Sequence, residues 1–358
     1  MKSHLRLFDT LIYTGDDALI KLEHHIQKKF STSTKIILVD ENTLVKCFPL
    51  ILKQCRSLKS ALVIEMKSGE QNKTFETALN IWQQLAENFI DRNALLINLG
   101  GGVVSDIGTF CASTYLRGIC FINVPTTLTA MVDAAIGGKT GIDFKNLKNF
   151  IGTFAHPDSV FICPRFLKTL DERNLKCGFA EMVKHALVAD EKLWEKFSRA
   201  TFEECINDKN ILHSVKIKTR IVKKDPNEKS LRKILNFGHT AGHAIESYSI
   251  MHDAEPLLHG ECVATGMIIE SFLSYQTALL KKEDAKKITE FIDEKFLLKK
   301  LSSKAIDQII KLMHHDKKNN KKKMNFTLLD AIGVASIDHY CEDKLVREAF
   351  GFYNSVAE

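Results

Sequence analysis

Up to residue 150 the chain alternates short β-branched apolar runs with stretches whose apolar positions recur at helical spacing. The runs are KIILVD at 35–40, ALVIEM at 61–66, ALLINLGGG at 94–102 and CFINVPTT at 120–127. Between the second and third lies KTFETALNIWQQLAENF, patterned as an amphipathic helix. Strand, helix, strand in that order predicts parallel pairing and a Rossmann-like nucleotide-binding domain.

After SVFICPRFLKTLDERN the texture changes. Segments beginning KCGFAEMVKHALV, NILHSVKIKTRIVKK, LNFGHTAGHAIESY, ECVATGMIIESFLSYQTALL and EDAKKITEFIDEKF are long and helical, with few strand signals. The pattern therefore predicts an α/β fold in two domains: residues 1–165, a nucleotide-binding α/β domain, and residues 166–358, a mostly α-helical domain. A ligand is expected in the cleft between two such domains.

Composition narrows the class. A chain of 358 residues, 45% hydrophobic and 26% charged, exceeds what one core usually organises and has the balance of a globular protein. Lys and Arg total 50 against 44 Asp and Glu, and the resulting +6 argues for no nucleic-acid partner. Nine cysteines without a C-x-x-C pair indicate reduced thiols and a cytoplasmic location. The charged start lacks a signal peptide's apolar run, and no stretch of about 18 apolar residues points to a membrane.

Five stretches carry chemistry. Gly100, Gly101 and Gly102 follow an apolar strand and precede a helix, where backbone amides can cradle a pyrophosphate, although the G-x-G-x-x-G form is absent. Asp133, Lys139, Lys148 and Asn149 cluster around a Gly-Gly turn, suited to an anionic sugar phosphate. Glu181 and Lys184 are neighbours on a largely apolar helix, where a carboxylate needs a cation. His239 and His243 share one helix face, and His259 opens a further apolar helix. One carboxylate and two imidazoles with a position left open form a catalytic rather than a structural zinc set, so Glu181, His239 and His259 are the candidate triad. Spacing leaves open whether His243 belongs to that set or beside a substrate.

Together these stretches resemble the 3-dehydroquinate synthase family. GGGVVSD, STYLRG, VPTTL, VDAAIGGKTG, GFAEMVKHAL, LNFGHTAGHAIE, HGECVATGM and HHDKK occur in the family's order between residues 68 and 318. The resemblance implies a lyase of the shikimate pathway, which leads to chorismate and the aromatic amino acids. That enzyme turns 3-deoxy-D-arabino-heptulosonate 7-phosphate into 3-dehydroquinate and phosphate, with NAD and a divalent metal, zinc or cobalt. It implies metal ligation by Glu181, His239 and His259, and catalytic roles for His243, Lys139, Lys184, Asp133, Asn236 and Arg232. Substrate contacts carry over to Asn149, Lys218 and one of Lys317 or Lys318. Arg117 is expected to reach the neighbouring subunit's site in a homodimer. The NAD contacts implied are Asp40, Asn42, Glu70, Lys73, Gly101, Gly102, Val104, Asp106, Thr126, Thr127, Lys139, Lys148 and Thr169. Ser105 stands where the family has glycine, and Ile142-Asp143-Phe144-Lys145 replaces its His-Pro-bearing run.

Rival readings are a metal-dependent alcohol or polyol dehydrogenase and a cyclase acting on sedoheptulose 7-phosphate or glucose 6-phosphate. A zinc peptidase needs glutamate after the first histidine, where this chain has Thr240.

Overall fold

The computed structural model describes residues 4–145, 147–314 and 323–357. The chain divides into two compact units, Met1–Leu175 with Asp208–Thr219, and Lys176–Asn207 with Arg220–Glu358. The boundary expected at residue 165 falls instead after Leu175. Past the last strand Phe166 and Leu167 are buried, while Arg165 and Thr169 contact Asp16 and Cys47, so this segment stays with the first unit.

In the first unit the strands are β1 (Leu5–Leu7), β2 (Thr10–Thr14), β3 (Lys35–Asp40), β4 (Leu62–Met66), β5 (Leu95–Gly100), β6 (Cys120–Pro125), β7 (Ile142–Phe144), β8 (Leu147–Ile151) and β9 (Ser159–Ile162). Seven of them form one sheet in the order β1-β2-β9-β6-β5-β3-β4, while β7 and β8 pair as a separate antiparallel hairpin. All pairings from β2 to β4 across the sheet are parallel, as the strand-helix alternation predicts; β1 alone adds an antiparallel edge. All six residues of β5 and the central four of β3 are buried, which is why these runs read as continuously apolar rather than alternating.

The helices here are α1 (Ala18–Lys29), α2 (Glu41–Lys46), α3 (Phe48–Gln54), α4 (Phe75–Glu87) and α5 (Gly102–Thr114). The predicted helix after Lys73 is α4, capped by Thr74, with Ala78, Ile81 and Leu85 turned into a core shared with Ile36, Leu38, Ile64 and Leu96. Helix α5 lies so close to β5 that a Cβ on Gly108 would stand 2.0 Å from Oδ1 of Asn98 and 2.7 Å from Cδ2 of Leu38. Any larger residue there would have to push the Asn98 and Leu38 side chains aside.

The second unit opens within α6 (Glu172–Ala189), which is buried continuously from Cys177 to Val188. This helix is followed by α7 (Glu191–Ser198), α8 (Phe202–Cys205), α9 (Asp208–Lys224), α10 (His239–His252), α11 (His259–Gln276), α12 (Lys282–Lys295), α13 (Ser303–His314) and α14 (Asp343–Val356). The first part of α9, to Thr219, groups with the first unit. An antiparallel hairpin, β10 (Met324–Ala331) and β11 (Val334–Cys341), stands within the mostly helical texture predicted for this part of the chain. Its second strand is mostly exposed or half-buried, so it lacks the apolar run that would announce it. No described helix is long and apolar enough to cross a membrane.

Candidate active site

In the first unit β5 ends at Gly100, Gly101 caps α5 in extended backbone, and α5 starts at Gly102. This turn presents helix N-terminal amides, with Val104 buried beneath. Further along α5, Asp106 accepts a 2.6 Å hydrogen bond from Nζ of Lys73. The same lysine is 3% exposed and donates to Oδ1 of Asn149. Burial would push its pKa down, but Asp106 and Glu70 hold it above the ordinary lysine value. Glu70 pairs with Lys148 at 2.9 Å. Asn149, in left-handed backbone at φ +51°, also donates its amide N–H to Oδ1 of Asp143 at 2.7 Å. Asp143 thus holds Asn149 in place. Glu70, Lys73, Asp106, Lys148 and Asn149 are therefore one network.

The other residues assigned to NAD are less tightly drawn together. Asp40 closes β3 and caps α2 through the N–H of Thr43, and Asn42 donates to Ser68. Thr126 is buried, donating its N–H to the Gly100 carbonyl, and Thr127 accepts from the amide of Ala130. Thr169 lies 3.8 Å from Sγ of Cys47. Of the anion-binding candidates, Lys218 pairs with Asp133 at 2.6 Å, and Lys139 is exposed with its backbone bridged to Phe154. Arg117 is exposed beyond the C-terminal end of α5, about 20 Å of helix from the glycine turn. It and Leu116 are both in left-handed backbone, at φ +68° and +51°.

The second unit brings the histidines together. Oε1 of Glu181 lies 3.2 Å from Nε2 of His259 and 3.5 Å from Nε2 of His239. Its other oxygen is paired with Lys184, and both side chains are 1% exposed. Burial alone would raise the Glu181 carboxyl, but Lys184 and His239 hold it well below the carboxylate range. His239 stacks edge-on against His243 at 5.0 Å, and one nitrogen from each of His239, His243 and His259 falls within 4.8 Å of the others. Burial and Lys184 push the His239 imidazole down to about 4, so it is neutral, the form that ligates a metal.

A carboxylate that sequence reasoning missed completes this cluster. Glu246, 2% exposed, lies with Oε2 3.0 Å from Nδ1 of His259, directing the opposite ring nitrogen at Glu181. Its signal stood in NFGHTAGHAIE, three residues after His243 and seven after His239, on the same helix face. The donor set of Glu181 with the imidazoles of His239 and His259, backed by Glu246 on a ring nitrogen of His259, fits a divalent transition metal.

Upstream of α10, Asp225 accepts the backbone N–H groups of Lys229, Ser230 and Arg232, shaping a tight loop. Burial opposes its ionisation, yet these donors hold its pKa below the ordinary aspartate value. Arg232 is 1% exposed and donates to the Pro226 carbonyl at 2.6 Å. Asn236 donates to Oε1 of Glu228 at 3.0 Å, and Glu228 adopts φ +55°. Glu228 was also missed, since a loop carboxylate has no periodicity to mark it. Lys317 and Lys318 lie outside the described residues.

Two family models match the chain, 3-dehydroquinate synthase N-terminal over residues 63–177 and 3-dehydroquinate synthase C-terminal over 178–319. A 3-dehydroquinate synthase of Parabacteroides distasonis is 41% identical over 320 residues, covering 88% of this chain and 90% of that protein. Among solved structures, 2-epi-5-epi-valiolone synthase from Streptomyces hygroscopicus, with NAD+ and Zn2+ bound, has a TM-score of 0.85 at 24% identity, covering 99% of both chains. A 2-deoxy-scyllo-inosose synthase complexed with carbaglucose-6-phosphate, NAD+ and Co2+ has a TM-score of 0.84 at 22% identity, covering 95% of this chain and 96% of the other. At these identities the two structures show the fold alone.

Proposed function

The chain belongs to the 3-dehydroquinate synthase family, and from that premise we propose that it converts 3-deoxy-D-arabino-heptulosonate 7-phosphate into 3-dehydroquinate and inorganic phosphate. NAD and one zinc or cobalt ion are the cofactors of this reading, with the ion on Glu181, His239 and His259. The observation that carries it is the buried Glu181 Oε1 within 3.5 Å of two imidazole nitrogens. When bound, the two groups supply a hydride acceptor regenerated in each turnover and a cation that polarises the reacting hydroxyl.

The chain's own residues divide the remaining work. Lys184 cancels the buried charge of Glu181 and keeps Oε1 turned to the imidazoles. Glu246 occupies Nδ1 of His259 and leaves its Nε2 for ligation. His243, on the same helix face as His239, contacts the substrate phosphate and takes part in moving the proton lost from carbon as phosphate departs. Asn236 and Arg232 orient substrate oxygens from the loop that Asp225 braces. In the first unit, Asp133 steers the ammonium of Lys218, and Lys139 and Asn149 offer donors to anionic groups. The Gly101–Gly102 amides and the Lys73–Asp106–Glu70–Lys148 network hold NAD.

Arg117 is assigned to the neighbouring subunit's phosphate site in a homodimer. In support, its guanidinium is exposed, lies at the far end of α5 from the glycine turn, and is presented by consecutive left-handed residues that cost energy to hold. All nine cysteines are free thiols, which suits a cytoplasmic location.

The test is incubation with the seven-carbon substrate, NAD and metal. One equivalent of phosphate is expected per substrate while NADH absorbance stays flat, and catalytic NAD restores turnover to stripped protein. Chelation with EDTA should stop phosphate release. Steady NADH accumulation with phosphate retained on the product would replace this reading with a dehydrogenase.

A further inference from the structure

We propose that Glu270 is a positioning residue for the metal centre, its buried carboxylate cancelling the positive end of α10 so that a dication can sit beside His239, the first residue of that helix. The inference rests on the reading that Glu181, His239 and His259 hold a divalent metal.

Glu270 interrupts the apolar run Met267-Ile268-Ile269 of α11 and is fully buried. Its two oxygens accept three backbone N–H groups from the start of α10: Oε2 from Gly238 at 2.6 Å, and Oε1 from Thr240 at 3.1 Å and Ala241 at 3.2 Å. These donors flank His239 in the chain. The first N–H groups of a helix have no internal acceptor and carry the positive end of its dipole, about half an elementary charge. Such an end attracts anions and opposes cations. A helix that begins at a metal-ligating histidine is therefore an adverse place for a dication unless negative charge already faces its amides. Glu270 supplies that charge from the protein interior, both oxygens engaged as acceptors.

The Glu270 side chain is shut off from bulk solvent where the two helices pack. Gly238 adopts φ +78°, and a Cβ there would stand 2.7 Å from Cγ of Met267 and 2.9 Å from the Val263 carbonyl oxygen. A Cβ on Gly266 would stand 1.9 Å from the Gly238 oxygen. Helices α10 and α11 thus meet backbone against backbone, and Glu270 reaches the amides across that contact. Because α11 also starts with His259, one side chain ties the helix bearing His259 to the first turn bearing His239.

The experiment uses the full chain stripped of metal and titrated with Co2+ against a competing chelator, with Co2+ visible absorption reporting the ligand field and thermal unfolding of the metal-free protein reporting the fold. Glu270→Gln preserves shape and removes charge, and is expected to weaken Co2+ affinity about 10–100-fold. Glu270→Asp keeps the charge, and is expected to bind Co2+ within about threefold of the parent even where its shortened reach lowers the metal-free melting temperature. Unchanged affinity in Glu270→Gln, or equal losses in both variants, overturns the inference. If Glu270→Gln does not fold, Glu270→Asp decides alone: near-parental affinity supports the role of charge, and a tenfold loss refutes it. Absence of stoichiometric uptake by the parent chain overturns the metal reading itself, and this inference with it.

Discussion

The imidazole of His259 is held at both nitrogens by buried carboxylates, with Glu246 3.0 Å from Nδ1 and Glu181 3.2 Å from Nε2. In the metal-free site burial opposes a charged ring, but Glu246 and Glu181 overrule it and raise the His259 pKa to about 10, so a dication taken up at Nε2 displaces that proton. Orientation of the ring therefore depends on Glu246 as much as on Glu181. Glu246→Gln is expected to lower divalent-metal affinity about 10–100-fold while leaving the metal-free melting temperature within a few degrees. Chelator competition measures the first and calorimetry the second; equal affinity in variant and parent would leave Glu246 a role in the fold alone.

Lys184 and Glu181 form an ion pair with both side chains 1% exposed. Replacing the lysine by methionine leaves the buried Glu181 and Glu246 carboxylates to share the charge of His259 alone, at a cost of about 3–5 kcal/mol to the metal-free protein. Urea unfolding should show that loss, and saturating Zn2+ should recover part of it by returning positive charge to Glu181. A Lys184→Met protein as stable as the parent without metal would mean that solvent reaches the carboxylate.

Gly108 of α5 faces the side chain of Asn98 on β5. An alanine there would drive its methyl into Asn98, which donates a 2.8 Å hydrogen bond to Asn123 on the next strand. Gly108→Ala is expected to destabilise the protein by about 1–3 kcal/mol through overpacking. NAD affinity should fall with it, since α5 carries the Gly101–Gly102 turn, whereas the divalent-metal constant should not change. Fluorescence titration with NADH and a chelator competition on the same preparation separate the two.

The loop before α10 carries a pH dependence. Asp225 has a folded pKa below its unfolded value because, against the opposing effect of burial, three backbone N–H groups favour the carboxylate. The unfolded state then binds more protons than the folded one as pH falls below about 4. The stability this aspartate contributes is present above that value and is lost as pH falls through the folded pKa. Asp225→Asn should lower stability at neutral pH and flatten the acid side of the melting-temperature profile. Parallel profiles for variant and parent between about pH 4 and pH 2 would assign the acid sensitivity to other groups.

The hydrophobic pattern alone determined the alternating strands and helices of the first unit and the helical character of the second. Where a strand is buried on both faces, as β3 and β5 are, or a helix has one apolar stripe, as α4 has, the local pattern carries the environment with it. The candidate ligands were legible too, because Glu181, His239, His243 and His259 sit in apolar helices where polar groups need a reason. Tertiary structure decided what local pattern does not encode. The half-exposed β10–β11 hairpin has no strong period, and the unit boundary follows the buried Phe166 and Leu167 rather than the change in texture at residue 165. Glu246, Glu228 and Glu270 acquire their partners across sequence separations of 13, 8 and up to 32 residues. A carboxylate's period along the chain says which face it occupies; only packing between elements says which imidazole, amide or helix end it meets.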